Sequence, residues 1–132
     1  MDLTPERALI FRITHISNVV WILEHGLYCP SSDKRDPNFQ PIGSPDLIEK
    51  RARRIVPVSP DGTLADYVPF YFTPCSPMLF NILTGHNDIV KRSPSAIVVM
   101  VSSLTKLRCQ HQLSLSPFQQ NKMSAFQQSA FC

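Results

Sequence analysis

The sequence predicts an α+β fold, with short helices set between strands, and three observations carry that prediction. Residues 9–14 (LIFRIT) and 68–72 (VPFYF) alternate as strands do. Ser17, Ser44 and Ser76 stand where helix N-caps belong, the latter two followed by Pro at the first helical position. Residues 96–101 (AIVVMV) form an uninterrupted apolar run of strand length. With 132 residues, 43% of them apolar, the chain suffices for one domain around one core.

In the first strand Leu9, Phe11 and Ile13 share one side and Ile10, Arg12 and Thr14 the other, so Arg12 points away from the Phe11 face. Ser17 is placed to cap a helix of about two turns, with Ile16 and Trp21 as its hydrophobic staple and Gly26 as its stop. His15 occupies the junction between them. Unpaired N–H groups at a helix start favour a phosphate or ribose oxygen there, while His15 by itself suits a cap or a hydrogen bond to a neighbouring carbonyl. Residues 28–43 are rich in Pro, Ser, Asp and Asn without a period, and read as a long loop. That length serves either as a binding loop or lid, or as a disordered segment.

Ser44-Pro45-Asp46 opens a helix expected to end near Ile55, because Pro57 disfavours the α region at Val56. At about 100° per residue, Leu47, Ile55, Ile48 and Ala52 fall within an arc of about 140°, an apolar stripe. Arg51 lies inside that arc, and Lys50, Arg53 and Arg54 lie outside it. A guanidinium aimed at an interface must be paired, satisfy a backbone end or line a cleft, since unpaired burial is costly; at the edge of the stripe it can instead snorkel to water. The run of four cations suits either phosphate or a solvated helix face.

Residues 59–62 (SPDG) fit a type I turn. In the strand that follows, Val68, Phe70 and Phe72 make an apolar face opposite Tyr67, Tyr71 and Thr73, and Pro69 marks an edge or a bulge. Ser76-Pro77 opens a helix that Gly85 stops. Residues 96–101 read as a central strand covered on both faces. From residue 108 the chain is rich in Gln and Ser, lacks Asp and Glu, and carries Phe-Gln-Gln twice, so no packed element is assigned to it.

The net charge is a modest +3. Cys29, Cys75, Cys109 and Cys132 form no C-x-x-C pair, which argues against a zinc ribbon or redox motif and for reduced thiols, with no metal expected. No stretch is long and apolar enough to span a bilayer and no signal peptide is recognisable, so the expected location is cytoplasmic, without a membrane partner.

Three segments together, FRITHISNVVWILEHGL (residues 11–27), IEKRAR (48–53) and DYVPFYFTPCSPMLF (66–80), resemble the DarT family across residues 8–107. The resemblance implies an ADP-ribosyltransferase-like split mixed β-sheet with surrounding helices, of which this chain carries the N-terminal half. Residues 108–132 are then a divergent tail outside the fold. It also implies NAD-dependent transfer of ADP-ribose to thymidine bases in single-stranded DNA, by the toxin of a toxin–antitoxin pair whose antitoxin bears a macrodomain. Residue by residue, the family's NAD-contacting strand end falls on Arg12, Ile13, Thr14 and His15, and its catalytic Arg falls on Arg51, which also borders NAD. Tyr71 is the expected ligand-facing ring, and Lys50, Arg53 and Arg54 are the expected DNA contacts. A guanidinium keeps its proton to above about pH 12, so Arg51 is expected to stabilise the thymine nitrogen as its charge develops rather than to accept a proton.

Two departures from the family pattern stand out. Cys75 replaces an Arg after F-Y-F-x-P, and the chain lacks the T-D-R-H segment and the later catalytic Glu. The resulting expectation is a truncated, impaired transferase. The alternatives are a non-enzymatic single-stranded DNA binding remnant, gripping through the cation run and Tyr67/Tyr71, and a non-functional truncated gene product.

Overall fold

The structure, a computed structural model, describes residues 4, 6–57 and 61–112. Strand β1 (Leu9–His15) leads through a 3₁₀ turn (Ile16–Asn18) into helix α1 (Val19–His25); helix α2 (Pro45–Arg53), helix α3 (Pro77–Thr84), strand β2 (Ile97–Ser103) and helix α4 (Leu104–Gln112) follow. The architecture is α+β. β1 and β2 pair antiparallel, with Phe11 opposite Val101, Arg12 opposite Met100 and Ile13 opposite Val99.

This pairing sorts the strand residues into two faces, because directly opposed side chains project to the same side. Ile10, Thr14 and Arg12 point inward, Ile10 and Thr14 being 1% exposed. Leu9, Phe11 and Ile13 point outward with Val99 and Val101, and none of these five is buried. Leu9 is 51% and Val101 58% exposed. The run expected to be a strand covered on both faces is therefore open on one: among the described residues β2 pairs only with β1, and none of its seven residues is buried.

The caps formed largely as their chemistry dictates. Ser44 and Ser76 accept hydrogen bonds from the backbone N–H groups of Leu47 (3.5 Å) and Leu79 (3.2 Å), with Pro at the first helical position in each case. Gly85 ends α3 in the left-handed region at φ 75°, where a Cβ would be strained. The first helix departs from expectation. His15, not Ser17, provides the cap, its Nδ1 accepting from the Ser17 backbone N–H at 3.2 Å, and a 3₁₀ turn precedes α1.

Helix α2 stops at Arg53, two residues short of Ile55, which instead forms an isolated bridge with Thr63. Its apolar stripe is not a core face: Leu47, Ile48 and Ile55 are 46%, 44% and 73% exposed. Residues 68–72 form no strand. Tyr71 makes a single bridge to Phe11, with paired N–H···O bonds of 2.8 Å, and Pro69 has no N–H with which to extend a ladder. The expected face assignment also fails at Tyr67, which is 4% exposed and packs with Val56 and Leu64. Its hydroxyl donates to the Asp61 carbonyl at 2.8 Å.

The turn at 59–62 lies partly outside the described residues. Asp61, the third residue of that turn, has φ 53°, which excludes type I, and Gly62 follows with φ 89°. A Cβ at Gly62 would sit 2.7 Å from Asp66 Oδ2, so this position excludes larger residues on two grounds. Helix α4 runs past residue 107 to Gln112, so helical backbone stands at the start of the tail to which the composition assigned no packed element. The segment has no Gly or Pro to break a helix, Ser103 Oγ accepts from the Lys106 N–H at 3.1 Å, and Thr105 Oγ1 donates to the Glu6 carbonyl at 3.1 Å. The remainder of the tail, residues 113–132, lies outside the described residues.

Candidate active site

Three side chains converge beneath the inner face of β1. Arg12 extends from the strand, Tyr71 is set beside it by the bridge to Phe11, and Arg51 reaches in from α2, its Nη2 lying 3.5 Å from the Leu64 carbonyl. Arg12 Nη1 donates to the Pro69 carbonyl at 3.0 Å, whereas its Nε is shielded from solvent and has no hydrogen-bond partner. Arg51, half-buried, is the least exposed of the cations on α2. The helical position that singled it out in the sequence thus has a structural counterpart, although its apolar neighbours on the stripe stay exposed.

The electrostatics of this group follow from burial and from like charges. Desolvation, then the nearby charge of Arg51, brings the Arg12 guanidinium down to about 10, with Tyr71 opposing. Arg51 is lowered mainly by desolvation. Burial raises Tyr71, and the two arginines partly offset that rise, so its phenol stays protonated at neutral pH. Both guanidiniums are therefore charged at pH 7, held near one another in a partly desolvated place, with a phenol hydroxyl beside them. Such an arrangement lowers its energy by taking up an anion with several oxygens.

The other residues singled out in the sequence take different positions. Thr14 is buried and its Oγ1 accepts from Asn18 Nδ2 at 3.1 Å, so its side chain is committed to the scaffold. Ile13 lies on the outer face, half-buried. His15 is engaged locally, Nδ1 lying 2.7 Å from Ser17 Oγ. Lys50, Arg53 and Arg54 are exposed, and Arg53 pairs with Glu49 one turn back. The structure thus gathers Arg12, Arg51 and Tyr71, and leaves the three exposed cations on the rim of α2.

Two residues that hold the site were missed. Asn18, 1% exposed, clamps the backbone of Gln40, donating to its carbonyl at 2.9 Å and accepting from its N–H at 2.8 Å. Asp66 closes a capping box with Thr63 and accepts from Ser31 Oγ. The long loop 28–43 is consequently fastened at both ends against the body that carries the arginines. The signal for Asn18 was its spacing, four residues after a strand-end Thr at a helix start, where a short amide side chain can bond backbone.

A separate cavity of about 480 Å³ lies between residues 40–43, the Ile48–Ala52 side of α2 and Arg92, whose Nε is likewise buried and unpartnered. Among the described residues no group of three or more His, Cys, Asp or Glu could hold a metal ion, and no helix is long and apolar enough to cross a membrane.

Comparison with known proteins gives this geometry its context. A DNA ADP-ribosyl transferase of Escherichia coli O127:H6 is 53% identical over 103 residues, which are 78% of this chain and 47% of that protein. One from Thermus aquaticus is 42% identical over 103 residues, 46% of its length. Among solved structures, Thermus sp. 2.9 DarT in complex with ADP-ribosylated single-stranded DNA superposes with a TM-score of 0.71 at 37% identity, covering 83% of this chain and 52% of that one. The same protein in complex with NAD+ gives 0.65 at 35% identity, covering 82% and 50%. The chain spans about half the length of the curated relatives it matches. The family model for single-stranded DNA thymidine ADP-ribosyltransferase, DarT, matches residues 11–126, most of the sequence, and the chain therefore belongs to the DarT family.

Proposed function

We propose that this chain forms the NAD-facing part of a DNA ADP-ribosyltransferase site, with NAD as co-substrate and thymidine in single-stranded DNA as acceptor. The observation that carries the reading is the buried Arg12 guanidinium, one nitrogen unpartnered, close to Arg51 and beside Tyr71. A pyrophosphate would satisfy that nitrogen and offset the mutual repulsion of the two cations. The structures of Thermus DarT with NAD+ and with modified single-stranded DNA, at 35–37% identity, support the same assignment.

In this reading Arg12 holds the pyrophosphate, and the backbone of Ile13, Thr14 and His15 at the strand end borders the remainder of NAD. Bound NAD supplies an ADP-ribosyl group activated by a cationic nicotinamide leaving group. Arg51 lies where it can donate charge-assisted hydrogen bonds to an acceptor nitrogen that gains negative charge, and keeps its own proton throughout. Tyr71 stays neutral and offers a hydroxyl donor and a ring face for a base. Lys50, Arg53 and Arg54 extend positive charge along the exposed side of α2, suited to a phosphate backbone. Cys75, exposed, takes the place of a family Arg and weakens that contact.

The toxin role, opposed by a macrodomain antitoxin in the cytoplasm, rests on family membership. The sequence lacks the T-D-R-H segment and the later Glu of the family pattern. These 132 residues alone are therefore expected to bind both substrates and to transfer about 10²–10⁴-fold more slowly than a complete family member.

The test uses labelled NAD with single-stranded oligonucleotides that contain or lack thymidine. Slow transfer that requires thymidine and disappears in Arg51→Gln supports the reading. Failure to retain either NAD or the oligonucleotide at millimolar concentration contradicts it.

A further inference from the structure

Helix α2 carries Arg51, yet every residue of it except Arg51 is exposed, so core packing does not fix where the helix stands. It is held at its ends instead. Past its C-terminal end the chain pairs with residues 62–64, the Val56 N–H donating to the Gly62 carbonyl at 2.8 Å and the Leu64 N–H to the Arg54 carbonyl at 3.0 Å, and Val56 is buried. One such anchor fixes a helix in place but leaves its direction and its rotation about its own axis free. The second anchor precedes the N-terminal end, where the Asn18 side chain donates to the Gln40 carbonyl and accepts from the Gln40 N–H. Only Pro41-Ile42-Gly43 separate Gln40 from the Ser44 cap. Pro41 and Pro45 each fix their own φ and keep the residue before them extended, as Ser44 is at ψ 125°, so this link has little slack.

The other side of this anchor is β1. Asn18 also donates to Thr14 Oγ1 at 3.1 Å, and Thr14 shares the inner face of β1 with Arg12. Asn18 and Thr14 are both shielded from water, so these bonds meet little competition. We infer that Asn18 is a positioning residue: by tying Thr14 on β1 to Gln40 it anchors the N-terminal end of α2 and sets where Arg51 stands relative to Arg12. The magnitudes suffice. At a helix radius of about 6 Å, a roll of about 20° carries a side chain through about 2 Å. A displacement of about 1 Å in a site of fixed geometry can cost about 100-fold. The inference rests on the proposed function only for the identity of the ligand, and the anchoring itself requires no NAD.

Calorimetric titration of NAD into the chain and its variants tests this, with deuterium exchange as a second readout. Asn18→Ala removes the anchor, whereas a Gly-Gly insertion between Ile42 and Gly43 keeps the Asn18 hydrogen bonds and slackens the link. Both should bind NAD about tenfold more weakly. The amides of Leu47 and Ile48, in the first turn of α2, should exchange at least about fivefold faster, and those of Val56 and Leu64 should not change. Arg51 acts to lower both Arg12 and Tyr71, so its displacement should also move the alkaline fall in NAD affinity to higher pH. Ser76→Ala, which removes the cap of α3, should change neither the affinity nor that pH. Unchanged NAD affinity in the insertion variant, or an equal loss in Ser76→Ala, would overturn the inference and leave the functional reading standing. If the wild-type chain binds no NAD, the functional reading falls instead. Exchange of Leu47 and Ile48 then decides the anchor by itself: faster in the insertion variant supports it, and unchanged overturns it.

Discussion

The two faces of β1 are used in opposite ways. Ile10, Arg12 and Thr14 face inward, two of them 1% exposed, although one of the three is a cation at neutral pH. Leu9, Phe11 and Ile13, all apolar, face outward and none is buried. Burial by composition alone would have reversed this choice. The same inversion recurs on α2, where Leu47 and Ile48 are exposed and Arg51 is half-buried. At these two places hydrophobic burial does not decide which side chain faces in, although the core around Ile10, Ile22, Leu64 and Ile82 is apolar.

The comparison is broken most severely at Arg51. Arg51→Gln should lower the rate of transfer by about 10²–10³, the cost of losing a donor to developing charge. Circular dichroism should find a loss of stability of at most about 1 kcal/mol, because the lost bond to the Leu64 carbonyl is offset by relief of the repulsion between Arg51 and Arg12. A large fall in stability would mean that Arg51 serves the scaffold.

Asn18 tests whether the inner face depends on the clamped loop. Asn18→Ala removes two hydrogen bonds to Gln40 and one to Thr14, and should cost about 2–4 kcal/mol in denaturant unfolding. Amides of residues 38–42 should then exchange faster than those of β1. A smaller effect is expected at Ser76→Ala, about 1 kcal/mol, from the lost cap on α3.

The pH dependence follows from the direction of the Arg12 shift. Its folded value, about 10, lies below that of an ordinary guanidinium, so the folded chain releases this proton before the unfolded chain does. The cost of burying the charge is present in full at neutral pH and is relieved as pH rises from about 10 toward the ordinary guanidinium range, so this group makes folding more favourable across that window. Anion affinity runs the other way, steady below pH 9 and falling as Arg12 loses its charge near pH 10. Titration of NAD binding against pH measures this slope.

Much of the frame was legible in the sequence because it is set locally. Ser44-Pro45 and Ser76-Pro77 fix helix starts through one hydroxyl and one ring, and Gly85 fixes an end through its backbone freedom. Arg51 stood out for the same reason, as a cation at an angle reserved for apolar residues. What failed depended on partners distant in sequence. The alternation in residues 68–72 was sound as a pattern, yet Pro69 and a single bridge to Phe11 limit it to one pairing. The apolar run of β2 reads as a covered strand, and the described residues cover only one side of it. Asn18 reveals its role only once Gln40, 22 residues away, is brought to it.

The central claim is that Arg12 and Arg51 together form an anion seat for the pyrophosphate of NAD. Calorimetric titration of NAD into the wild-type chain, Arg12→Gln and Arg51→Gln, at two salt concentrations, measures it directly. The account predicts one site in the wild type, affinity about 10–100-fold weaker in Arg12→Gln, and a salt dependence that is shallower in both variants. Equal affinity in all three proteins would contradict it.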